Sequence, residues 1–237
     1  MHYGFLILCQ LTCAMNISET ARVNAQQLNE LKKLVAQGEG LHLEFKRKAA
    51  HPDKLVREMI AFANTSGGSL LIGVGDDKSI PGIKYPEEEI LVVKQAIEKF
   101  CRPQLVYQER IIPITDNKFV VELIIPQGER RPYFFKYSAE EKESFVRESD
   151  KSIKASKEMV EIVRRAKTKK DIRFTFGEAE KKLMEYLEAN DKITLPEFRK
   201  VAMLNRFLAA KKLILLVLAN VLRITPTEKG DYYSRGS

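Results

Sequence analysis

The chain has 237 residues and a mass of 27.2 kDa, too long for a typical small domain and suited to one large or two small ones. Hydrophobic residues at 44% and charged residues at 30% exclude global disorder, and no apolar run approaches the roughly 20 residues that span a bilayer. Lys and Arg number 40 against 32 Asp and Glu; the net charge of +8 favours a polyanion such as DNA or RNA, and is also compatible with a merely soluble protein.

The first 14 residues differ in character from the rest: an apolar stretch at 5–8 has no basic residues ahead of it and is too short for a signal peptide. Translation is therefore expected to start at Met15. Apolar residues at helical spacing predict a helix over 21–35, stopped by Gly38 and Gly40. Strict alternation over 41–46 predicts a half-buried strand with Glu44 on its polar face. A helix over 53–64 presents a broad apolar face. After the break at Ser66-Gly67-Gly68, the apolar run 69–74 reads as a central strand covered on both sides. Pro86 opens a helix to 100, with Glu87, Glu88 and Glu89 at the positive end of its dipole. Strands over 105–114 and 119–125 form a hairpin, strands over 133–137 and 144–148 are expected to form another, and a helix follows over 156–167.

Residues 164–170 hold five basic residues and no acid, which reads as a linker. Beyond 174 the pattern turns to short elements. A helix spans 177–189. Thr194-Leu195-Pro196-Glu197 is a capping box opening a second helix, and Asn205 caps a third to about 219. Two strands, 221–225 and 231–234, follow. Helix, helix, helix, hairpin is winged helix-turn-helix order. The run 213–218 is more apolar than one buried face requires, which suggests a homodimer contact.

Three cysteines and three histidines, with no CxxC pair, offer no disulfide framework or structural zinc site and fit the reducing cytoplasm. No GxxxxGK[ST] occurs, so Asn64, Gly67 and Gly68 are not a nucleotide-binding P-loop. Their backbone could cradle a phosphate, or form a helix cap braced by a buried Asn64. Lys46, Arg47, Lys48, Arg130, Arg131 and Arg147 lie at strand ends and could line a basic face toward phosphates. Lys169 and Lys170 extend the cationic set in the linker. Asn205, Arg206, Lys211 and Lys212 stand at the start of the third C-terminal helix, where Asn and Arg read bases, with Phe207 and Leu208 expected to turn inward. Lys229 and Arg235 flank the wing.

Four pieces carry a resemblance: Glu39 to Lys46 (EGLHLEFK), Ala61 to Gly68 (AFANTSGG), Leu70 to Asp77 (LLIGVGDD) and Phe145 to Ser152 (FVRESDKS). Together they resemble the Schlafen AlbA-like (divergent AlbA) family over residues 30–165, and 174–237 resembles the winged helix found beside it in some bacterial members. The resemblance implies an α/β (α+β) fold. A mixed-sheet AlbA-like domain (30–165) would follow an N-terminal extension and first helix (1–29), and a basic linker (166–173) would lead to a winged-helix domain (174–237). It also implies a nucleic-acid-binding function, with DNA or RNA as partner, no membrane and no cofactor. The expected role is a DNA-binding transcriptional regulator. In eukaryotic relatives, acids matching Glu39, Glu44 and Asp76 or Asp77 form a divalent-metal ribonuclease site. The alternative is thus a magnesium- or manganese-dependent endoribonuclease acting on structured RNA such as tRNA, with Glu39, Glu44 and Asp76 catalytic. A protein-interaction module is the third reading.

Overall fold

The structure, a computed structural model, describes residues 25–166 and 175–236. The expected start at Met15 and the linker residues Lys169 and Lys170 lie outside the described residues. Helix α1 (Ala25–Gln37) buries Leu31 and Val35, and Gly38, at φ +82°, turns the chain out of it. Strand β1 (Leu43–Lys46), helix α2 (Pro52–Asn64), strand β2 (Gly68–Ile72) and helix α3 (Pro86–Phe100) follow. Both α2 and α3 begin at a proline, whose fixed φ suits the first helical turn. After β3 (Cys101–Arg102), strands β4 (Gln108–Thr115) and β5 (Lys118–Ile125) form a hairpin.

The main sheet is mixed, in the order β1-β2-β5-β4, with β1 parallel to β2 and the other pairs antiparallel. Alternation along the strands divides the core into two faces. Leu70, Ile72, Val121, Leu123 and Ile125 pack with α2 and α3, whereas Leu43, Phe45, Leu71 and Val120 pack with Leu31 and Val35 of α1. Helices on both faces explain why Leu70, Leu71 and Ile72 of β2 are consecutively apolar and buried. The architecture is α+β.

The second expected hairpin pairs differently. β6 (Phe134–Lys136) lies between β3 and β7 (Lys142–Glu143), while β8 (Phe145–Glu148) pairs with β9 (Lys151–Lys154). Two local turns dictate this: the Tyr137 N–H donates to the Glu141 carbonyl at 3.0 Å, and Ser149 adopts a left-handed φ of +53°. Helix α4 (Lys157–Arg165) is capped by Ser156, whose Oγ accepts from the Met159 N–H at 3.0 Å.

The C-terminal elements are α5 (Glu178–Ala189), β10 (Ile193–Thr194), α6 (Leu195–Val201), α7 (Arg206–Leu218), β11 (Leu222–Thr225) and β12 (Tyr232–Arg235), with the strands ordered β10-β12-β11. Their core includes Leu183, Phe198, Leu213, Leu216 and Tyr233. The apolar excess of α7, expected to mark a dimer face, has an intramolecular cover: α4 packs on α7, and Ile224 joins Val146, Met159 and Val163. Among the described residues no helix is long and apolar enough to cross a membrane.

Candidate functional site

Glu44 is not on a solvent face. Leu43 and Phe45 point to α1, so the β1 pleat sends Glu44 to the α2 side, beside Leu70. There Arg147 of β8, 2% exposed, meets it with Nη2 at 2.6 Å from Glu44 Oε2. Arg147 Nη1 lies 2.8 Å from Glu58 Oε2 of α2, and its Nε and Nη2 donate to the Gly40 carbonyl at 3.1 and 3.0 Å. The guanidinium stacks over the Phe62 ring at 4.9 Å. Ser152 donates to Glu58, and the Lys46 ammonium pairs with the other Glu44 oxygen. Arg147 was expected to meet phosphate; instead its donors are consumed internally, because the buried Glu44 and the half-buried Glu58 carboxylates need a partner. Burial pushes the Glu58 carboxyl above the ordinary range and the Glu44 charge adds to the rise, against the Ser152 hydrogen bond, Arg147 and Lys46.

The left-handed turn at Gly38 brings Glu39 back onto β1, where its Oε1 accepts the Phe45 N–H at 2.9 Å. Burial raises the Glu39 carboxyl, as do the charges of Glu44 and Asp76, while the Phe45 hydrogen bond and Lys46 lower it. Glu39 therefore lies within electrostatic reach of both Glu44 and Asp76. Among the described residues, however, no group of three or more His, Cys, Asp or Glu is gathered to hold a metal ion. Each Glu44 oxygen already has a cation and one Glu39 oxygen holds a backbone N–H, so these residues do not fit the magnesium or manganese site of the ribonuclease alternative. Asp77 is exposed and pairs with Arg47 at 3.4 Å.

The Asn64–Gly68 turn is a brace and not a phosphate cradle. The Thr65 N–H donates to the Ala61 and Phe62 carbonyls at 3.1 Å and the Gly67 N–H to Phe62 at 2.9 Å, so these donors are spent on the end of α2. Gly67 sits at φ +79°, and a Cβ there would lie 2.8 Å from the Ile125 carbonyl oxygen. Gly68 enters β2 opposite Ile125. Asn64, buried, donates to the Tyr133 and Phe145 carbonyls at 3.0 and 2.9 Å and accepts the Tyr133 N–H at 2.7 Å. It ties α2 to the β6–β8 region.

Residues 39–156 match the family model Schlafen, AlbA_2. No curated protein matches the chain. The crystal structure of the DIP2311 protein from Corynebacterium diphtheriae is similar at 17% identity and a TM-score of 0.46, over 84% of this chain and 45% of that one, so the chain spans less than half of that protein's length. The AlbA_2 match contains Glu39, Glu44, Asn64, Gly67, Gly68 and Arg147, residues that here turn, pair and brace the chain.

Outside the AlbA_2 match lies a different surface. Residues 198–227 contain no Asp or Glu and six basic residues. Arg206 pairs with Glu158 of α4 at 3.2 Å, Lys212 pairs with Glu180, and Arg223 lies 4.0 Å from Glu148. Arg199, Lys200 and Lys211 are exposed with no ion-pair partner among the described residues, as are Lys48 and Lys229. Arg199 and Lys200 were not singled out from the sequence; counting acids along this stretch would have found them. Asn205 caps α7, its Oδ1 accepting the Leu208 N–H at 2.9 Å, so the amide is not available as an intact donor–acceptor pair for adenine. Phe207 and Leu208 do not turn inward: with the helix phased by that cap, Ala209, Leu213 and Leu216 form the buried stripe.

Proposed function

We propose that this chain binds nucleic acid and acts as a DNA-binding regulator rather than as a nuclease. The observation that carries the reading is the acid-free stretch 198–227, where Arg199, Lys200 and Lys211 stand exposed and unpaired among the described residues. Cations in that state can replace the counterions of a phosphate backbone without first giving up an internal partner. The order α5, α6, α7 and the β11–β12 hairpin supports a winged helix-turn-helix reading of the C-terminal part, with Lys229 at the wing tip. The AlbA_2 match supports a nucleic-acid role for the N-terminal part. The metal-dependent ribonuclease is disfavoured because Glu44 is committed to Arg147 and Lys46.

The test is fluorescence anisotropy of the full chain with labelled DNA and RNA across salt. Affinity should fall steeply between about 50 and 200 mM salt. Lys200→Ala and Lys211→Ala should each flatten the logarithmic slope by about one unit and weaken all sequences alike. Binding that ignores salt, or no binding, overturns the reading. Incubation with tRNA and manganese should leave the RNA intact; cleavage abolished by Glu39→Gln would restore the ribonuclease.

A further inference from the structure

The turn before α7 and its first helical turn expose three large apolar side chains within six residues: Met203 is 86% exposed, Phe207 75% and Leu208 41%. Scattered apolar residues on a surface are ordinary, but a cluster of this kind is not. Met203 is held at a left-handed φ of +54°, with its N–H on the Lys200 carbonyl and the Leu204 N–H on that of Arg199 at 3.0 Å. The presentation is thus fixed by the backbone. On the helix, Phe207 and Leu208 stand four and three residues from Lys211 and share its face. Leu208 also lines a groove with Leu215, Leu216, Lys211, Lys212 and Glu180, the last tied to Lys212. The chain around the cluster, 198–227, holds cations and no acid.

That combination specifies its occupant. Glu180 and Glu158 are taken up by Lys212 and Arg206, so the charges left without an ion pair around the cluster, among the described residues, are the cations Arg199, Lys200 and Lys211, and they select a polyanion. A polyanion read only by charge needs no exposed aromatic ring, whereas one carrying flat apolar groups does. The residues that would read the edges of stacked base pairs are engaged: the Asn205 oxygen caps the helix, and Arg206 is on Glu158. The exposed aromatic beside them is Phe207, which offers a ring face. Bases inside a duplex hide their faces, and unstacked bases present them.

We propose that Phe207, flanked by Met203 and Leu208, is a stacking platform for unstacked bases, so that this surface takes single-stranded or locally opened DNA in preference to intact duplex. The proposal rests on the nucleic-acid reading above. Arg199, Lys200 and Lys211 hold the phosphates on either side, and the ring supplies a contact that is indifferent to base identity.

The chain contains no tryptophan, so Phe207→Trp in the full chain gives emission from this one position. A single-stranded DNA oligonucleotide should quench that emission saturably, and inorganic polyphosphate, which has charge but no bases, should not. Phe207→Ala should weaken single-strand binding roughly ten-fold or more. Duplex affinity and the thermal melt should be nearly unchanged, because the side chain is exposed. If the unaltered protein binds no nucleic acid, the parent reading fails. If it binds but Phe207→Trp emission does not respond and Phe207→Ala binds single strands as well, the platform is overturned while the parent reading stands. Emission that shifts to the blue with anionic vesicles, or with rising protein concentration alone, overturns it in favour of a membrane or a second copy.

Discussion

Arg147 and Lys211 are both cations in stretches that the sequence marks as basic-facing, and the structure gives them opposite fates. Arg147 sits at the centre of the N-terminal part, bonded to Glu44 and Glu58, which lie 103 and 89 residues away along the chain. Lys211 lies in a stretch with no acid nearby in sequence and forms no ion pair among the described residues. The difference teaches that a cation's availability is set by the carboxylates that the fold delivers to it. Where a strand pleat brings a glutamate inward, an arginine becomes structural, because a buried carboxylate without a partner costs several kcal/mol. Where none arrives, the charge remains for a ligand.

The sharpest way to break this contrast is Arg147→Ala. It leaves Glu58 without its cation and Glu44 with Lys46 alone, and should cost about 3–5 kcal/mol in urea unfolding. Arg147→Lys should recover only part of that, because one ammonium cannot serve two carboxylates and the Gly40 and Leu43 carbonyls together. DNA affinity per folded molecule should be unaltered. An Arg147→Ala protein of parental stability that no longer binds DNA would move Arg147 into the binding surface. Asn64→Ala comes next. It orphans the Tyr133 N–H and removes a donor from the Phe145 carbonyl, while the Tyr133 carbonyl keeps the Ser144 hydroxyl; this should cost about 2–3 kcal/mol in the same measurement. Parental stability would mean that the turn is not a brace and would reopen it as a ligand site.

A smaller effect tests where the two parts meet. Ser156 at the start of α4 donates to Asp231, and Glu158, Arg206 and Tyr233 surround the same place. Burial raises the Asp231 carboxyl above its ordinary 3.8, Glu158 raises it further, and the Ser156 hydrogen bond opposes both. An acid raised by folding binds its proton more tightly in the folded chain. Its contribution therefore favours the folded state as pH falls through the raised value toward 3.8, and is absent at neutral pH. Asp231→Asn should equal or exceed the parent in stability at neutral pH, with an advantage that shrinks on acidification. An advantage that grows as pH falls would reverse the assigned shift.

What could be read from the sequence was local. Pro86 with its three following glutamates, the Thr194–Glu197 capping box and the Asn205 cap act within one helical turn, and the helices start there. The apolar run 70–72 of β2 gave its own burial, since consecutive apolar residues on a strand point to both faces and both must be covered. The alternation around Glu44 revealed which residues share a face but not what lies over that face, because Arg147 arrives from a distant strand. The phase of α7 was hidden for another reason: a run apolar at nearly every position from 213 to 218 carries no helical period, so it could not say whether Phe207 or Ala209 turns inward.

The subtlest prediction concerns the cation that stands between the two fates. Arg206 is 63% exposed at its side chain, but its Nη2 is 3.2 Å from a Glu158 carboxylate that is only 10% exposed. Arg206→Ala should therefore lower stability somewhat, rather than leave folding untouched, because it deprives Glu158 of its cation close to Asp231. Glu158→Gln makes the opposite change. It keeps the shape of the side chain, removes the charge and releases the guanidinium toward phosphate. An ion pair this exposed holds about 0.2–1 kcal/mol, so DNA affinity should rise by no more than about five-fold. Arg206→Ala should have little effect on affinity in the parent and should erase the gain in the Glu158→Gln background, a non-additivity that reports direct coupling. A gain that persists without Arg206 would place its origin in the general loss of a negative charge, and no gain at all would make Arg206 a fixed tie between α4 and α7, as structural as Arg147.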